Sequence, residues 1–228
     1  MGLGDHILCN GIVRYYAELY DRIYLFVKPH NLANVSYMYR DLSKIKFIPM
    51  NDAEVKFFMK VNPNNEYLIA GITQEWFHNF DIKKIYKTFD EGFYIAARVP
   101  FEDKWNRFYF QRDLEKEKNI FYNKLGLKNN EKFIIVHDDP KNNRFFKSQL
   151  IPSNIKIINP GDFKEIGIFD FLYTFEQAEE LHLMNSSFMN LVDCILLKTK
   201  KLFLHSYART DMGDNPNPQL KLNWNIMK

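Results

Sequence analysis

The 228-residue sequence predicts an α/β protein in two halves, each a parallel sheet with helices packed on it. Three observations carry this. Short apolar runs of buried-strand type alternate with stretches of helical periodicity, the pattern of strand–helix–strand units. The alternation is set up twice, on either side of an aromatic and charged segment, 101–112. Finally, a chain that is 46% hydrophobic and 16% aromatic can fill a core, which sets disorder aside.

Each element has its own reason. After the opening Gly2-Leu3-Gly4-Asp5 loop, Ile7, Leu8, Gly11, Ile12, Tyr15 and Tyr16 recur on one helical face as far as Glu18. Asp21-Arg22 breaks the helix, and RIYLFV is an apolar strand ending at Val27. A second cycle gives a helix over 31–42 and the strand IKFIPM; a third gives a helix over 52–61 and the strand YLIAG ending at Gly71. Residues 82–93 have mixed helical spacing, and Pro100 marks a break. We bound the halves at 1–108 and 109–228. In the second half Asp113 caps a charged helix that runs to Leu125 and is closed by Gly126. KFIIVHDD is a strand ending in an acidic turn, and NIKIINPG is a further strand with its turn. A helix near Tyr173–Leu181, a short HLM strand, a helix over 187–197 and the strand KKLFLHSYA complete the pattern. The Asn- and Pro-rich tail has loop composition.

Composition excludes several function classes. The formal charge of +3 is interleaved along the chain with no basic block, so no nucleic-acid partner is expected. Cys9 and Cys194 stand alone in apolar stretches and form no CxxC motif, which fits buried reduced thiols. His30, His78 and His182 lack metal-ligand spacing, and no metal site is assigned. No apolar run approaches the ~18 residues of a membrane span, so a soluble, cytoplasmic protein is expected.

Four stretches carry chemistry. Gly2-Leu3-Gly4-Asp5 precedes an apolar helix; glycines let backbone approach a ligand, and open N–H groups at a helix start favour anions. A dinucleotide fingerprint would need a third glycine where Ile7 stands, which disfavours a nicotinamide-dependent oxidoreductase. Asn185-Ser186-Ser187 turns a strand into a helix, where small hydroxyls can donate to phosphate oxygens; alone, Ser187 is an ordinary N-cap. His137-Asp138-Asp139-Pro140 follows a strand at the end that faces a ligand in such sheets. It can contact a donor, hold a divalent metal or simply turn the chain, although metal ions usually take spaced oxygen ligands. Arg209, with His205 after the last strand, can neutralise a diphosphate or remain an exposed loop cation.

Taken together and in order, these stretches resemble a known family. GLGDHILCNGIVRYY resembles the N-terminal LGD loop and helix of the ADP-heptose–lipopolysaccharide heptosyltransferases and related GT-B glycosyltransferases. FDFLYTFEQAEELHLMNSSFMNLVD resembles their C-terminal signature, where a helix and short strand lead into a Ser/Thr-rich turn that receives the donor's diphosphate. The resemblance implies two Rossmann-like halves of GT-B type. It also implies an N-terminal half lacking its first strand, because the family's first strand precedes the loop that opens this chain. The implied activity moves a sugar, hexosyl or heptosyl, from a nucleotide-diphosphate donor to a glycan or other hydroxyl acceptor. Inverting, metal-independent transfer is expected, with the nucleotide-sugar as co-substrate and no further cofactor.

Residue by residue, Asp5 matches the presumed base for the acceptor hydroxyl, and Ser186 and Ser187 match the diphosphate turn. Glu176 matches the preceding helix, while Gly4, His137, Asp138 and Arg209 complete the expected donor contacts. Asn185 departs from the signature, where an Asp is common. Without the strand before it, the Asp5 loop is untethered on one side. A non-catalytic nucleotide- or carbohydrate-binding module derived from the same scaffold is therefore the alternative expectation.

Overall fold

Continuous apolar runs form the strands, and the run Phe133–Val136 is buried on both faces. The structure, a computed structural model, describes residues 1–68, 88–198, 201–209 and 217–228. The chain divides into two units, Met1–Gln111 and Arg112–Lys228.

In the first unit β1 (Ile23–Val27) pairs in parallel with β2 (Ile45–Pro49), from Ile23 opposite Ile45 to Val27 opposite Pro49. Helices α1 (Leu3–Leu8) and α2 (Asn10–Leu19) precede β1, α3 (Leu32–Met38) joins the two strands, and α4 (Asp52–Val61) follows them. Then come α5 (Phe89–Ala96) and the short α6 (Asp103–Asn106). Ile7, Leu8, Ile12, Val27, Val35 and Met38 are buried together as its core. Gly11 is dictated by a close approach: a Cβ there would stand 2.1 Å from the carbonyl oxygen of Asp103, so α2 and α6 can touch only through a bare backbone. Among the buried polar groups, Lys104 donates to Asp90 at 2.7 Å with both side chains shielded from solvent. The strand expected to end at Gly71 falls mainly outside the described residues. So does half of the mixed segment 82–93, of which α5 covers the end.

The second unit is built on a five-stranded parallel sheet in the order β4-β3-β5-β6-β7. Its strands are β3 (Phe133–His137), β4 (Lys156–Ile158), β5 (Glu180–Leu183), β6 (Lys201–His205) and β7 (Trp224–Met227). Helix α7 (Leu114–Asn119) starts where the Asp113 side chain accepts from the Lys116 amide at 3.0 Å. It runs on into a π turn, Ile120–Lys124, and Gly126 at φ +61° leaves it through the left-handed region. Helices α8 (Leu172–Gln177) and α9 (Ser187–Cys194) flank β5 in the chain.

The tail departs from its expected loop character, since β7 pairs with β6 along its length. The buried carboxylate of Asp193 on α9 explains this, because it accepts from the amides of Lys221 and Leu222 and from Trp224 Nε1 at 3.0–3.1 Å. A buried carboxylate needs such donors, and here they lock the approach to the last strand. Taken together, the molecule is mixed α/β with two parallel sheets. Among the described residues no helix is long and apolar enough to cross a membrane.

Candidate functional site

Strand order singles out one end of the second unit. From β3 the chain moves outward to β4 on one side, then returns to place β5 on the other. In an open parallel sheet that reversal leaves a crevice outside the carboxyl ends of the two strands, since their connections depart in opposite directions. His137 is the last residue of β3, and Asn185-Ser186-Ser187 follows β5.

Ser186 is the N-cap of α9, in extended conformation at φ −155° and ψ 176°. A serine there normally closes the first turn with its hydroxyl. Here the side chain makes no capping hydrogen bond and lies 3.5 Å from His137 Nδ1, too long for a strong bond. The first turn of α9 thus keeps its amides without a side-chain cap at the positive end of the helix dipole. Arg209, just after β6, donates from Nη1 to the carbonyl of Asn185 at 2.8 Å, bringing a guanidinium to the same turn. Asn185 donates to the Asn217 side chain at 3.2 Å, a neutral contact that also fixes the turn.

The residues after β3 divide their tasks. The His137 ring packs against Phe188 with centroids 4.5 Å apart, and burial lowers its pKa to about 4. It is therefore a neutral hydrogen-bonding group at pH 7. Asp138 accepts from Asn159 at 3.0 Å, and burial raises its carboxyl above the ordinary range. Asp139 instead accepts from Arg144 at 3.0 Å and Asn142 at 2.7 Å and pairs through its backbone with Arg144, closing a tight turn. The adjacent carboxylates thus serve different partners. Among the described residues no group of three or more His, Cys, Asp and Glu side chains is arranged to hold a metal ion.

Glu176 is placed elsewhere. It lies on α8, before the start of β5, whereas Ser186 follows the end of that strand. Arg112 grips its carboxylate with Nη1 at 2.6 Å and Nη2 at 3.1 Å and also holds the buried Glu117. That bidentate geometry belongs to a structural ion-pair network.

In the first unit the expected Gly-Leu-Gly-Asp loop is instead the first turn of α1, with Gly4 as its second residue. Gly2 is the N-cap, and its amide donates to Asp5 Oδ2 at 2.9 Å, one half of a capping box, because glycine has no side chain to complete it. Burial raises the Asp5 carboxyl above the usual range, against the pull of the Gly2 amide and the Lys28 ammonium. His6 beside it is buried, with Nε2 unpartnered among the described residues and a pKa lowered to about 4 by desolvation. A cavity of about 640 Å³ in this unit is lined by Arg14, Glu18, Lys44, Asp103 and Arg107, at the other end of α2 from Asp5. Its cations are engaged: Arg14 with Asp41, Arg107 with Glu18 and Asp103, and Lys44 with the Ala17 carbonyl. The size of the cavity therefore does not make it a better anion site than the switch point.

Sequence reasoning named His182 and His205 separately but missed that they are partners, and missed Tyr207. They are remote in sequence, and only the β5–β6 register brings them together. Comparison of the chain with protein-family models, with curated proteins and with solved structures finds no match.

Proposed function

We propose that the second unit binds a nucleotide diphosphate at the β3–β5 switch point, and that the protein is a glycosyltransferase using a nucleotide-sugar donor. One observation carries this reading: the helix that opens at the switch point has its N-cap hydroxyl turned away from its amides. Phosphate oxygens would accept from those amides and from the Ser186 and Ser187 hydroxyls. The Arg209 guanidinium would add charge as the diphosphate departs. Neutral His137 and the raised carboxyl of Asp138 suit hydrogen bonds to the hydroxyls of the nucleotide or sugar. Asp5 would take the acceptor hydroxyl's proton, a task that a raised carboxylate pKa favours. The acceptor is a glycan or another hydroxyl compound, and the two-lobed GT-B architecture belongs to the same proposal.

A second reading has an observation of its own. The Asp5 carboxylate is already engaged by the Gly2 amide in the helix cap, as in a residue kept for structure. On that reading the protein is a nucleotide- or carbohydrate-binding module without transfer activity.

Calorimetric titration with ADP, UDP and GDP in the presence of EDTA tests the shared premise. Saturable binding of at least one is expected, weakened about 10- to 100-fold in Arg209→Ala, the range for a hydrogen bond to a charged group. Asp5→Asn should keep that affinity while transfer from the matching nucleotide-sugar falls about 100-fold or more. Binding without transfer by the wild type selects the module reading. No binding of any of the three overturns the transferase reading and the nucleotide-binding form of the module reading.

A further inference from the structure

The face shared by β5 and β6 carries an alternating set of polar side chains. In a strand, alternate residues share a face, so Glu180 and His182 line up on β5, and Lys201, Phe203 and His205 on β6. The register sets Glu180 opposite Lys201 and His182 opposite Phe203. The His182 ring stacks on Phe203 with centroids 4.5 Å apart, and Phe146 stacks on the other histidine, His205, at 4.0 Å. Neither imidazole is open to solvent.

Four side chains form one unbroken line. Glu180 Oε2 lies 3.0 Å from His182 Nε2, His182 Nδ1 lies 3.0 Å from His205 Nε2, and His205 Nδ1 lies 2.9 Å from the Tyr207 hydroxyl. At the far end the Lys147 amide donates to that hydroxyl at 2.8 Å. The two ends decide every proton between them. An amide can only donate, and an ionised carboxylate can only accept. With both histidines neutral, His182 must give its Nε2–H to Glu180. His205 must then give its Nε2–H to His182, and Tyr207 its O–H to His205 Nδ1. Burial, which lowers the pKa of both imidazoles, supports the neutral state.

We propose that this line makes Tyr207 an activated phenol, able to act as nucleophile or proton acceptor just beyond the carboxyl end of β6. The arrangement has the logic of a catalytic triad with one histidine added: a hydroxyl, the base that takes its proton, and an acid residue that orients and compensates the base. In the step, the Tyr207 O–H bond breaks and His205 Nδ1–H forms, while His205 Nε2–H breaks and His182 Nδ1–H forms. The products are a phenolate, a neutral His205 and a His182 imidazolium facing the Glu180 carboxylate. Net charge along the line is unchanged. The second histidine places the positive charge beside the Glu180 carboxylate, which offsets part of the desolvation that opposes charge on either buried ring. The phenolate keeps the Lys147 amide as donor, and the Lys147 ammonium lies 4.5 Å from the Tyr207 ring centroid. Tyr207 is half-exposed, so an electrophile or the hydroxyl of a ligand can reach it. The inference does not depend on transferase activity.

Labelling of the intact protein with an aryl sulfonyl fluoride at pH 7.5, followed by peptide mass spectrometry, tests it. The phenolate oxygen attacks sulfur and fluoride leaves. Tyr207 should react at least tenfold faster than the exposed Tyr24 and Tyr109. Glu180→Gln, which keeps an acceptor for His182 but removes the charge, should slow Tyr207 about tenfold and leave Tyr24 unchanged. His205→Gln, checked for folding by circular dichroism, should abolish the advantage. A wild-type Tyr207 no faster than Tyr24, or an unchanged rate in Glu180→Gln, would overturn the proposal.

Discussion

Lys104→Met is expected to lower the unfolding free energy of the first unit by about 3–5 kcal/mol, the cost of removing one member of a buried ion pair. Asp90 is 0% and Lys104 1% exposed, and their atoms meet at 2.7 Å, so neither charge has water to fall back on. The Lys104 ammonium also lies 4.5 Å from the Trp105 ring centroid, a cation–π contact that the substitution removes as well. Met keeps the length and apolar stem of Lys, which confines the effect to the charge. The double variant Asp90→Leu/Lys104→Met should recover much of the loss, because the penalty lies in a buried carboxylate that has lost its ammonium rather than in the absence of a salt bridge. Urea unfolding followed through Trp105 fluorescence measures both. A loss below about 1 kcal/mol for Lys104→Met would mean that the pair is solvated.

Acid should destabilise both units between about pH 6.5 and pH 4, by on the order of 3 kcal/mol for each deeply buried histidine. His6 and His205 are both buried, and desolvation holds each pKa at about 4, below the ordinary histidine value of 6.5. In that window the unfolded chain binds more protons than the folded one, so stability falls as pH falls. Above the window the contribution is complete, and below it these two groups have nothing further to lose. Asp5 opposes them: burial raises its folded pKa, so proton uptake there favours the native state. Urea midpoints at pH 7.5 and 4.5, read from backbone amides of each unit by NMR, should both drop. His6→Phe should flatten the response of the first unit alone. Equal midpoints at the two pH values would show that the imidazoles find water.

How far the sequence revealed this arrangement depended on how local each determinant was. β1, β2, β3 and β6 are apolar runs legible in their own residues, and the parallel α/β class follows from their alternation with helices. β7 was not legible, because Trp224–Met227 is fixed by Asp193, some thirty residues upstream, rather than by any pattern of its own. The glycines of the Gly2–Asp5 stretch suggested a loop; the Gly2–Asp5 hydrogen bond decides for helix. Ser186, Ser187, His137 and Arg209 could be nominated from strand ends because the chain direction in a parallel sheet fixes which end they occupy. The engagement of Glu176 by Arg112 could not, with the partner 64 residues away. The line from Glu180 to Tyr207 was hidden for the same reason, since only the register of two strands reveals that widely separated residues share a face.

The central claim is that the start of α9 is an anion site at the switch point. Titrating ¹⁵N-labelled protein with pyrophosphate in EDTA and following the backbone amides by NMR addresses it directly. The amides of Ser187, Phe188 and Met189 should show the largest saturable shifts, with the Arg209 side chain following at the same midpoint. Saturation confined to residues lining the first unit's cavity, with the α9 amides unmoved, would contradict the account.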